Sequence, residues 1–173
     1  MKFNDGRSIS QFTPANDKAR ESIAASLGCT AGEIYFTSCG TESDNWAIKG
    51  AAKRLRAKGR DHIVTSAIEH HAVLNACAAL EREGFSVTYV GVDADGVVKL
   101  DELREAVTDK TALVAVMYAN NEVGTLQPIS EIAEIAHAKG ALMFTDAVQA
   151  VGNVEINLAT LGVDMLALSG HKI

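Results

Sequence analysis

The side chains most suited to taking part in a reaction are a lysine and a carboxylate, each of which closely follows a short, mostly apolar run. Ser169-Gly170-His171-Lys172 follows the run 165–168, so a hydroxyl, an imidazole and an amine lie within four residues. Asp146 follows the run 142–145, with Gln149 just beyond it. A desolvated lysine amine is a nucleophile toward carbonyl carbons, and a carboxylate can hold a protonated nitrogen. A Ser-His-Asp hydrolase would need a GxSxG elbow, which is absent.

A phosphate-binding segment is indicated where another apolar run leads into a helix. Residues 37–45 read TSCGTESDN, in which small residues precede a helix start. Gly40 would let a ligand approach the backbone, and free amides at a helix N-terminus favour an anion. The segment matches neither the GxxxxGK[ST] loop nor the GxGxxG dinucleotide fingerprint. On its own it is explained equally well as an ordinary capped turn.

Two more polar segments follow predicted strands. Glu69-His70-His71 contains two imidazoles, but the HExxH spacing of a metal site is missing, so we predict no metal; a polar helix start explains the segment as well. Asn120-Asn121, followed by Gly124, is also usual turn chemistry.

Taken together, these segments supply what pyridoxal 5'-phosphate (PLP) needs from a protein. Its phosphate needs helix amides, hydroxyls and an imidazole. Its pyridine nitrogen needs a carboxylate that keeps it protonated, and its aldehyde needs a lysine. We therefore expect a PLP site at the ends of successive strands.

The elements that would position these residues alternate between strands and helices. Strands are predicted at 34–37, 62–66, 86–92, 113–118, 142–145 and 165–168, and helices at 16–27, 41–59, 71–82, after 101 and at 129–138. This alternation predicts βαβ units, and continuously apolar strands indicate a sheet covered on both faces. The expected fold is a three-layer αβα domain with a mostly parallel sheet, formed by residues 1–173 as a single domain. Ligands of such sheets bind outside the carboxyl ends of the strands.

Composition limits the other possibilities. The chain has 16 basic and 22 acidic residues, a formal net charge of −6, which argues against nucleic acid as a partner. Its longest apolar run, residues 112–119, is far too short to cross a bilayer, so no membrane association is expected. Its three cysteines form no CxxC pair, which favours a reducing, cytoplasmic location.

Five strings, in order along about residues 19–173, resemble the cysteine desulfurases of the NifS/IscS type: FTSCGTESDNWAIKG, EHHAVL, NNEVGTLQPI, TDAVQAVG and SGHK. These are fold-type I PLP enzymes of aminotransferase class V. The NNEVG string favours this branch over the selenocysteine-lyase branch. The resemblance implies a reaction that converts L-cysteine to L-alanine and leaves a persulfide on the enzyme. It also implies sulfur-acceptor or scaffold proteins of iron–sulfur cluster assembly or thiolation as partners, and a homodimer.

The resemblance also implies roles for individual residues. Lys172 would form the Schiff base with PLP and later move the proton, and His70 would stack on the ring. Asp146 would pair with the pyridine nitrogen. The remaining positions would complete the cofactor site: Gln149 at the phenolic oxygen, Asn121 on the substrate side, and Gly40, Thr41, Ser169 and His171 at the phosphate.

The sequence departs from the family pattern at both ends. Family members open with a segment such as LDNAATT and a GNPSSxH loop, whereas residues 1–15 differ. The chain ends one residue after Lys172, so the small domain, the arginine for the substrate carboxylate and the persulfide cysteine are expected to lie outside it. We therefore expect a fragment or truncated product that does not release sulfur from cysteine at a useful rate. Cys39 is expected to be structural and Cys77 to be a buried apolar residue.

Two alternatives remain open. The first is another class-V PLP enzyme, a selenocysteine lyase or an aminotransferase. The second is a non-catalytic remnant that binds PLP or only partner subunits.

Overall fold

The computed structural model describes the backbone of residues 13–173 and the side chains of residues 16–173. Most of the lead segment discussed above, residues 1–15, therefore lies outside the described residues. Within the described chain, no helix combines the length and the apolar character needed to cross a bilayer.

The centre of the fold is a five-stranded parallel sheet. Its strands are β1 (His62–Ser66), β2 (Ser86–Val90), β3 (Thr111–Ala115), β4 (Leu142–Asp146) and β5 (Met165–Ala167). Their order is β2-β1-β3-β4-β5, with parallel pairing throughout. The chain goes from β1 outward to β2 and then returns to the other side of β1, so the winding direction reverses between β1 and β3. In open α/β sheets a ligand crevice forms at such a switch point.

The α-helices of residues 13–173 are α1 (Thr13–Leu27), α2 (Gly40–Arg56), α3 (His71–Arg82), α4 (Leu100–Ala106), α5 (Ile129–Ala138) and α6 (Leu158–Leu161). Short 3-10 turns lie at Ala31–Glu33 and Gly170–Lys172. The bounds of α3 and α5 are those predicted from the sequence. The predicted helix 41–59 extends too far at its C-terminal end. In the structure α2 stops at Arg56, and Gly59 follows with φ +79°.

The sheet has helices on both faces, which confirms the predicted three-layer fold. Helices α2 and α3 pack together, and their apolar residues form one core cluster with strand residues such as Ile63, Leu113 and Phe144. Helices α4 and α5 pack together against the same sheet. Ile48 of α2 and Ile132 of α5 are completely buried, and burial of one such side chain stabilises the fold by about 1.5–3 kcal/mol.

One predicted strand, residues 34–37, is wrong. No strand forms there, and the backbone polar groups of Ile34 bond to a preceding turn and to a helix side chain instead of to a neighbouring strand. Its N–H donates to the Ala31 carbonyl at 3.2 Å, and its carbonyl accepts from the Arg20 guanidinium. The predicted bounds of four other strands also differ: β2 stops at Val90, β3 spans Thr111–Ala115, β4 extends to Asp146 and β5 stops at Ala167. Bonding between the β3 and β4 segments nevertheless continues, since the Tyr118 N–H donates to the Asp146 carbonyl at 2.8 Å.

The described chain divides into two compact units. One comprises the described residues up to Phe36 together with Ile156–Thr160; the other comprises Thr37–Glu155 and Leu161–Ile173. In the first unit, Gly28 ends α1 with φ +73°, and a Cβ there would come within 2.5 Å of the Asn157 side chain. The second unit contains the whole sheet and every predicted site residue. The prediction of a single domain stays a prediction.

Candidate active site

The carboxylate predicted to hold a protonated nitrogen ends a central strand. Asp146 is the last residue of β4, and its side chain is buried. Its carboxylate accepts the Val148 N–H at 3.0 Å. Burial raises the pKa of Asp146, although the Val148 amide and the nearby His70 oppose that shift.

Glu69 connects the two strands on either side of the switch point. Both of its carboxylate oxygens lie 3.0 Å from the Met117 N–H, just after β3, and one also accepts the Ser66 hydroxyl at the end of β1. Asn120 adds a second connection, since its amide donates to the Ile68 carbonyl at 3.1 Å. Burial raises the pKa of Glu69 to about 8 despite these hydrogen bonds. Together these bonds fix the segment that carries His70.

His70 is held by the helix that it begins. Its Nδ1 accepts the Ala72 N–H at 3.1 Å, so His70 is the N-cap of α3. An acceptor nitrogen carries no proton, so the proton of the neutral ring lies on Nε2. The ring is otherwise exposed, which leaves a face that can stack on a planar ligand.

The predicted phosphate cradle is the N-terminus of α2. The first amides of a helix have no acceptor within it, and the N-cap residue Cys39 provides no side-chain hydrogen bond. Gly40 opens the helix, and Thr41 exposes a hydroxyl in its first turn. A Cβ at Gly40 would come within 3.2 Å of Val148 Cγ2, so the cradle lies next to the turn after Asp146.

The lysine segment follows β5 as a 3-10 turn. The Lys172 N–H donates to the Ser169 carbonyl at 3.0 Å, and the Ser169 hydroxyl lies 2.8 Å from His171 Nδ1. Ser169 is buried, whereas the side chains of His171 and Lys172 are exposed. The Ala147 N–H, directly after Asp146, donates to the Ala167 carbonyl at 2.9 Å and so joins this segment to the end of β4.

The structure thus brings some of the predicted residues together and leaves others less defined. Gly40, His70 and Asp146 lie at neighbouring strand and helix ends of one edge of the sheet. Gln149 is half-buried just beyond Asp146. Asn121 is exposed, and its amide donates to Glu122 at 2.8 Å, so its side chain points toward no predicted partner here.

Sequence reasoning gave no site role to Glu69 and missed Asp44 as well. Asp44 lies in α2 and is 1% exposed, and its Oδ1 has no hydrogen-bond partner. One ligand atom each from Asp44, His70 and Asp146 lies within 4.8 Å of the others. Burial, and then the charge of Asp146, raise the pKa of Asp44 to about 8. We refer to Asp44, Glu69 and Asp146 as the acid cluster.

The acid cluster fits a ligand that carries a protonated nitrogen. None of the ion pairs among the described side chains includes these three carboxyl groups. Buried carboxyl groups without a cation are costly, and a pyridinium N–H would supply the missing charge. The ligand atoms of Asp44, His70 and Asp146 are also close enough together for a metal ion, but they are one fewer than the four that a structural zinc site takes. With the helix amides near Gly40 and the lysine after β5, the residues present fit PLP.

The cysteines have contrasting environments. Cys77 in α3 is fully buried, as predicted, and burial raises the pKa of its thiol to about 12. Burial also raises the pKa of the half-buried Cys29. Cys39 is exposed before α2.

Comparison with known proteins identifies the family of this chain. Residues 5–173 match the family described as aminotransferase class-V. The cysteine desulfurase IscS of Methanosarcina thermophila is 58% identical over 154 residues, which is 89% of this chain and 38% of that protein. A structure titled NifS-like protein is similar with a TM-score of 0.90 at 44% identity, covering 94% of this chain and 45% of the other.

A structure titled SspA in complex with cysteine gives a TM-score of 0.89 at 40% identity, covering 95% of this chain and 47% of the other. The chain therefore spans less than half the length of these relatives. Class-V aminotransferases of the desulfurase type depend on PLP, the cofactor that the site residues fit. On the family match and the shared fold, this chain belongs to the aminotransferase class-V family.

Proposed function

We propose that this chain is the cofactor-binding part of a PLP-dependent cysteine desulfurase, which converts L-cysteine to L-alanine and keeps the sulfur as an enzyme persulfide. The observation that carries the proposal is the buried acid cluster next to the N-terminus of α2. The acid cluster would provide a negative charge for the pyridine nitrogen, and the first amides of α2 would bind the phosphate. Both lie at the same edge of the sheet. The similarity to proteins named cysteine desulfurase supports the choice of substrate.

The cofactor would be held by the residues that the sequence singled out. Asp146 would keep the pyridine nitrogen protonated, and His70 would stack on the ring. Gln149 would donate to the phenolic oxygen. The phosphate would be bound at the cradle and the lysine segment, by Gly40, Thr41, Ser169 and His171.

Bound PLP would supply a sink for the electrons released when the Cα–H bond of the substrate breaks. The Lys172 amine would hold the cofactor covalently and then take the Cα proton and return it to the product carbon. Asn121 would lie on the substrate side. An enzyme thiol would take the substrate sulfur, and none of Cys29, Cys39 and Cys77 is proposed for that role, because Cys77 is buried, Cys29 is half-buried and Cys39 lies at the phosphate end.

The cellular location, the oligomeric state and the sulfur acceptors of the protein are also proposals. We expect the protein to act in the cytoplasm as a homodimer and to pass sulfur to acceptor or scaffold proteins of iron–sulfur cluster assembly or thiolation. The free thiols support a reducing compartment, and the net charge of −6 gives no support to a nucleic-acid partner.

The test is to measure alanine formation from L-cysteine by the protein expressed from its full reading frame, with PLP and a reductant. We expect alanine well above the rate of free PLP, loss of that activity in Lys172→Ala, and retention in Lys58→Ala, an exposed lysine in the turn after the C-terminal end of α2. Preference for L-selenocysteine, or transamination of other amino acids, would instead support the other class-V activities. Alanine at the free-PLP rate would contradict the proposal.

A further inference from the structure

Asp44 is a carboxyl group in a position where apolar residues are expected. The buried residues of α2 are Asp44, Ile48, Ala51, Ala52 and Leu55, which follow the spacing of one helix face. Asp44 therefore points into the fold from the first turns of α2. A buried polar atom without a partner is costly, and Oδ1 of Asp44 has none.

The titratable groups around Asp44 come from two other segments, the end of β4 and the Glu69-His70 segment between β1 and α3. Asp146 faces Asp44 from the end of β4, and His70 from the start of α3. Glu69, after β1, is close enough for the charges of Asp44 and Asp146 to raise its pKa. No lysine or arginine pairs with these carboxylates among the described side chains. Ionisation of both Asp44 and Asp146 would therefore place two negative charges side by side in a buried position.

The hydrogen bonds decide which of the two keeps its charge. Asp146 accepts the Val148 N–H, and hydrogen bonds to a carboxylate favour its ionised form. Asp44 Oδ1 accepts none. In agreement, burial and the charge of Asp146 raise the pKa of Asp44 to about 8, so at neutral pH Asp44 holds its proton.

We propose that Asp44 is a positioning residue: it stays protonated beside Asp146 and leaves Asp146 as the one ionised carboxylate of the pair. The inference rests on the proposed function in that Asp146 is the partner of the pyridine nitrogen. A protonated Asp44 does not repel the Asp146 carboxylate. Its neutral but polar carboxyl group still interacts favourably with the negative charge of Asp146. An apolar residue at position 44 would surround Asp146 with a less polar environment and favour its protonation, so that it could no longer pair as an anion.

The first test uses the protein without cofactor, by urea unfolding at several pH values. Since the folded pKa of Asp44 lies above that of the unfolded chain, the folded state holds a proton that unfolding releases. Its contribution to stability therefore falls as pH rises from about 4 to about 8, and one such proton changes the unfolding equilibrium about tenfold per pH unit. Asp44→Asn should reduce the slope by close to that amount between pH 5 and 7.5. Asp109→Asn, an exposed acid, should not change it. An unchanged slope in Asp44→Asn would overturn the proposal.

The second test measures the dissociation constant of PLP and the pH dependence of its visible absorbance when bound. Asp44→Leu should unfold no more readily than the wild type, because it removes an unpartnered buried acid, yet should bind PLP at least tenfold more weakly. Asp44→Asn should bind PLP nearly as tightly as the wild type, since asparagine is neutral and polar like the protonated acid. A purely structural role predicts loss of stability and affinity together. A charged Asp44 predicts that Asn loses as much affinity as Leu. Either result would contradict the proposal.

The two experiments separate this inference from the proposed function. If the wild type gives no PLP absorbance at all, the proposed function fails, while the slope of stability with pH still reports on Asp44. If PLP binds normally but the slope is unaffected by Asp44→Asn, only the role of Asp44 fails.

Discussion

Gly40 and Val148 lie so close that a Cβ atom at Gly40 would come within 3.2 Å of Val148 Cγ2. Gly40 begins α2, and Val148 donates its backbone N–H to Asp146. The contact therefore joins the N-terminus of a helix to the turn that orients a buried carboxylate. The phosphate end and the ring-nitrogen end of the proposed PLP site thus depend on one close approach.

We predict that Gly40→Val weakens PLP binding about tenfold or more, because overpacking costs about 1–3 kcal/mol and would push α2 away from this turn. Adding Val148→Ala should recover much of the affinity, since it removes the methyl groups in the way. Gly50→Val is the matched control, because a Cβ at Gly50, also in α2, meets no atom within 4 Å. The dissociation constant of PLP is the measurement. Equal affinity for the two valine variants would show that the contact does not matter.

Asp146 should act through its charge. Asp146→Asn keeps the size of the side chain and removes the negative charge, and a hydrogen bond to a charged group contributes roughly 1.5–3 kcal/mol. We expect the variant to retain PLP at least about tenfold less well on gel filtration and to lose deamination of the substrate. The exposed Asp109→Asn should behave as wild type. Unchanged PLP retention and chemistry in Asp146→Asn would refute the assignment.

Glu69 should be essential as a hydrogen-bond acceptor and replaceable as a charge. Glu69→Ala leaves the Met117 N–H unpaired in the interior, which should cost about 1–3 kcal/mol of stability at pH 7. Glu69→Gln keeps an acceptor oxygen and should lose much less.

The contribution of Glu69 to the stability of the fold should decrease as pH rises. Its pKa of about 8 in the folded chain lies above that of the unfolded chain, so its contribution to stability falls as pH rises from about 4 to 8. Glu69→Gln should flatten this dependence. Urea unfolding at pH 6 and pH 8 measures both effects. Equal losses of stability in the Ala and Gln variants would contradict the acceptor role, and a wild-type pH dependence in Glu69→Gln would contradict the titration of Glu69.

The thiols should differ sharply in reactivity. Only a thiolate is nucleophilic, and the buried Cys77, with its pKa of about 12, should not react with iodoacetamide until the protein unfolds. The exposed Cys39 should be labelled first. Mass spectrometry of a time course in native buffer gives the order. Early labelling of Cys77 would mean that α3 does not pack as described.

Elements with both a clear apolar period and clear ends could be predicted from the sequence. Helices α3 and α5 have the predicted bounds, since each is amphipathic and is followed within two residues by a glycine with positive φ, Gly84 and Gly140. Residues 34–37 show the limit of such reasoning. Their composition is typical of a strand, but a strand also needs a neighbour, and here the backbone groups of Ile34 bond to the Ala31 carbonyl and the Arg20 side chain instead.

The sequence predicted which segments contribute to the candidate site, but it did not predict that two carboxyl groups lie side by side in it. Ligand residues after strands can be located from the order of strands and helices, because parallel strands end at one edge. The burial of Asp44 was missed, although its spacing to Ile48, Ala51 and Leu55 places it on the apolar face of α2. What the sequence could not reveal is that this face meets Asp146, since that depends on how α2 lies across β4.

The most direct test of the account is to locate the covalent attachment of the cofactor. The protein expressed from its full reading frame is incubated with PLP, reduced with borohydride, digested and analysed by mass spectrometry. A pyridoxyl label on Lys172, lost when Lys172→Ala is treated in the same way, is the predicted result. A label that instead resides on another lysine, such as Lys49 or Lys139, would contradict the account.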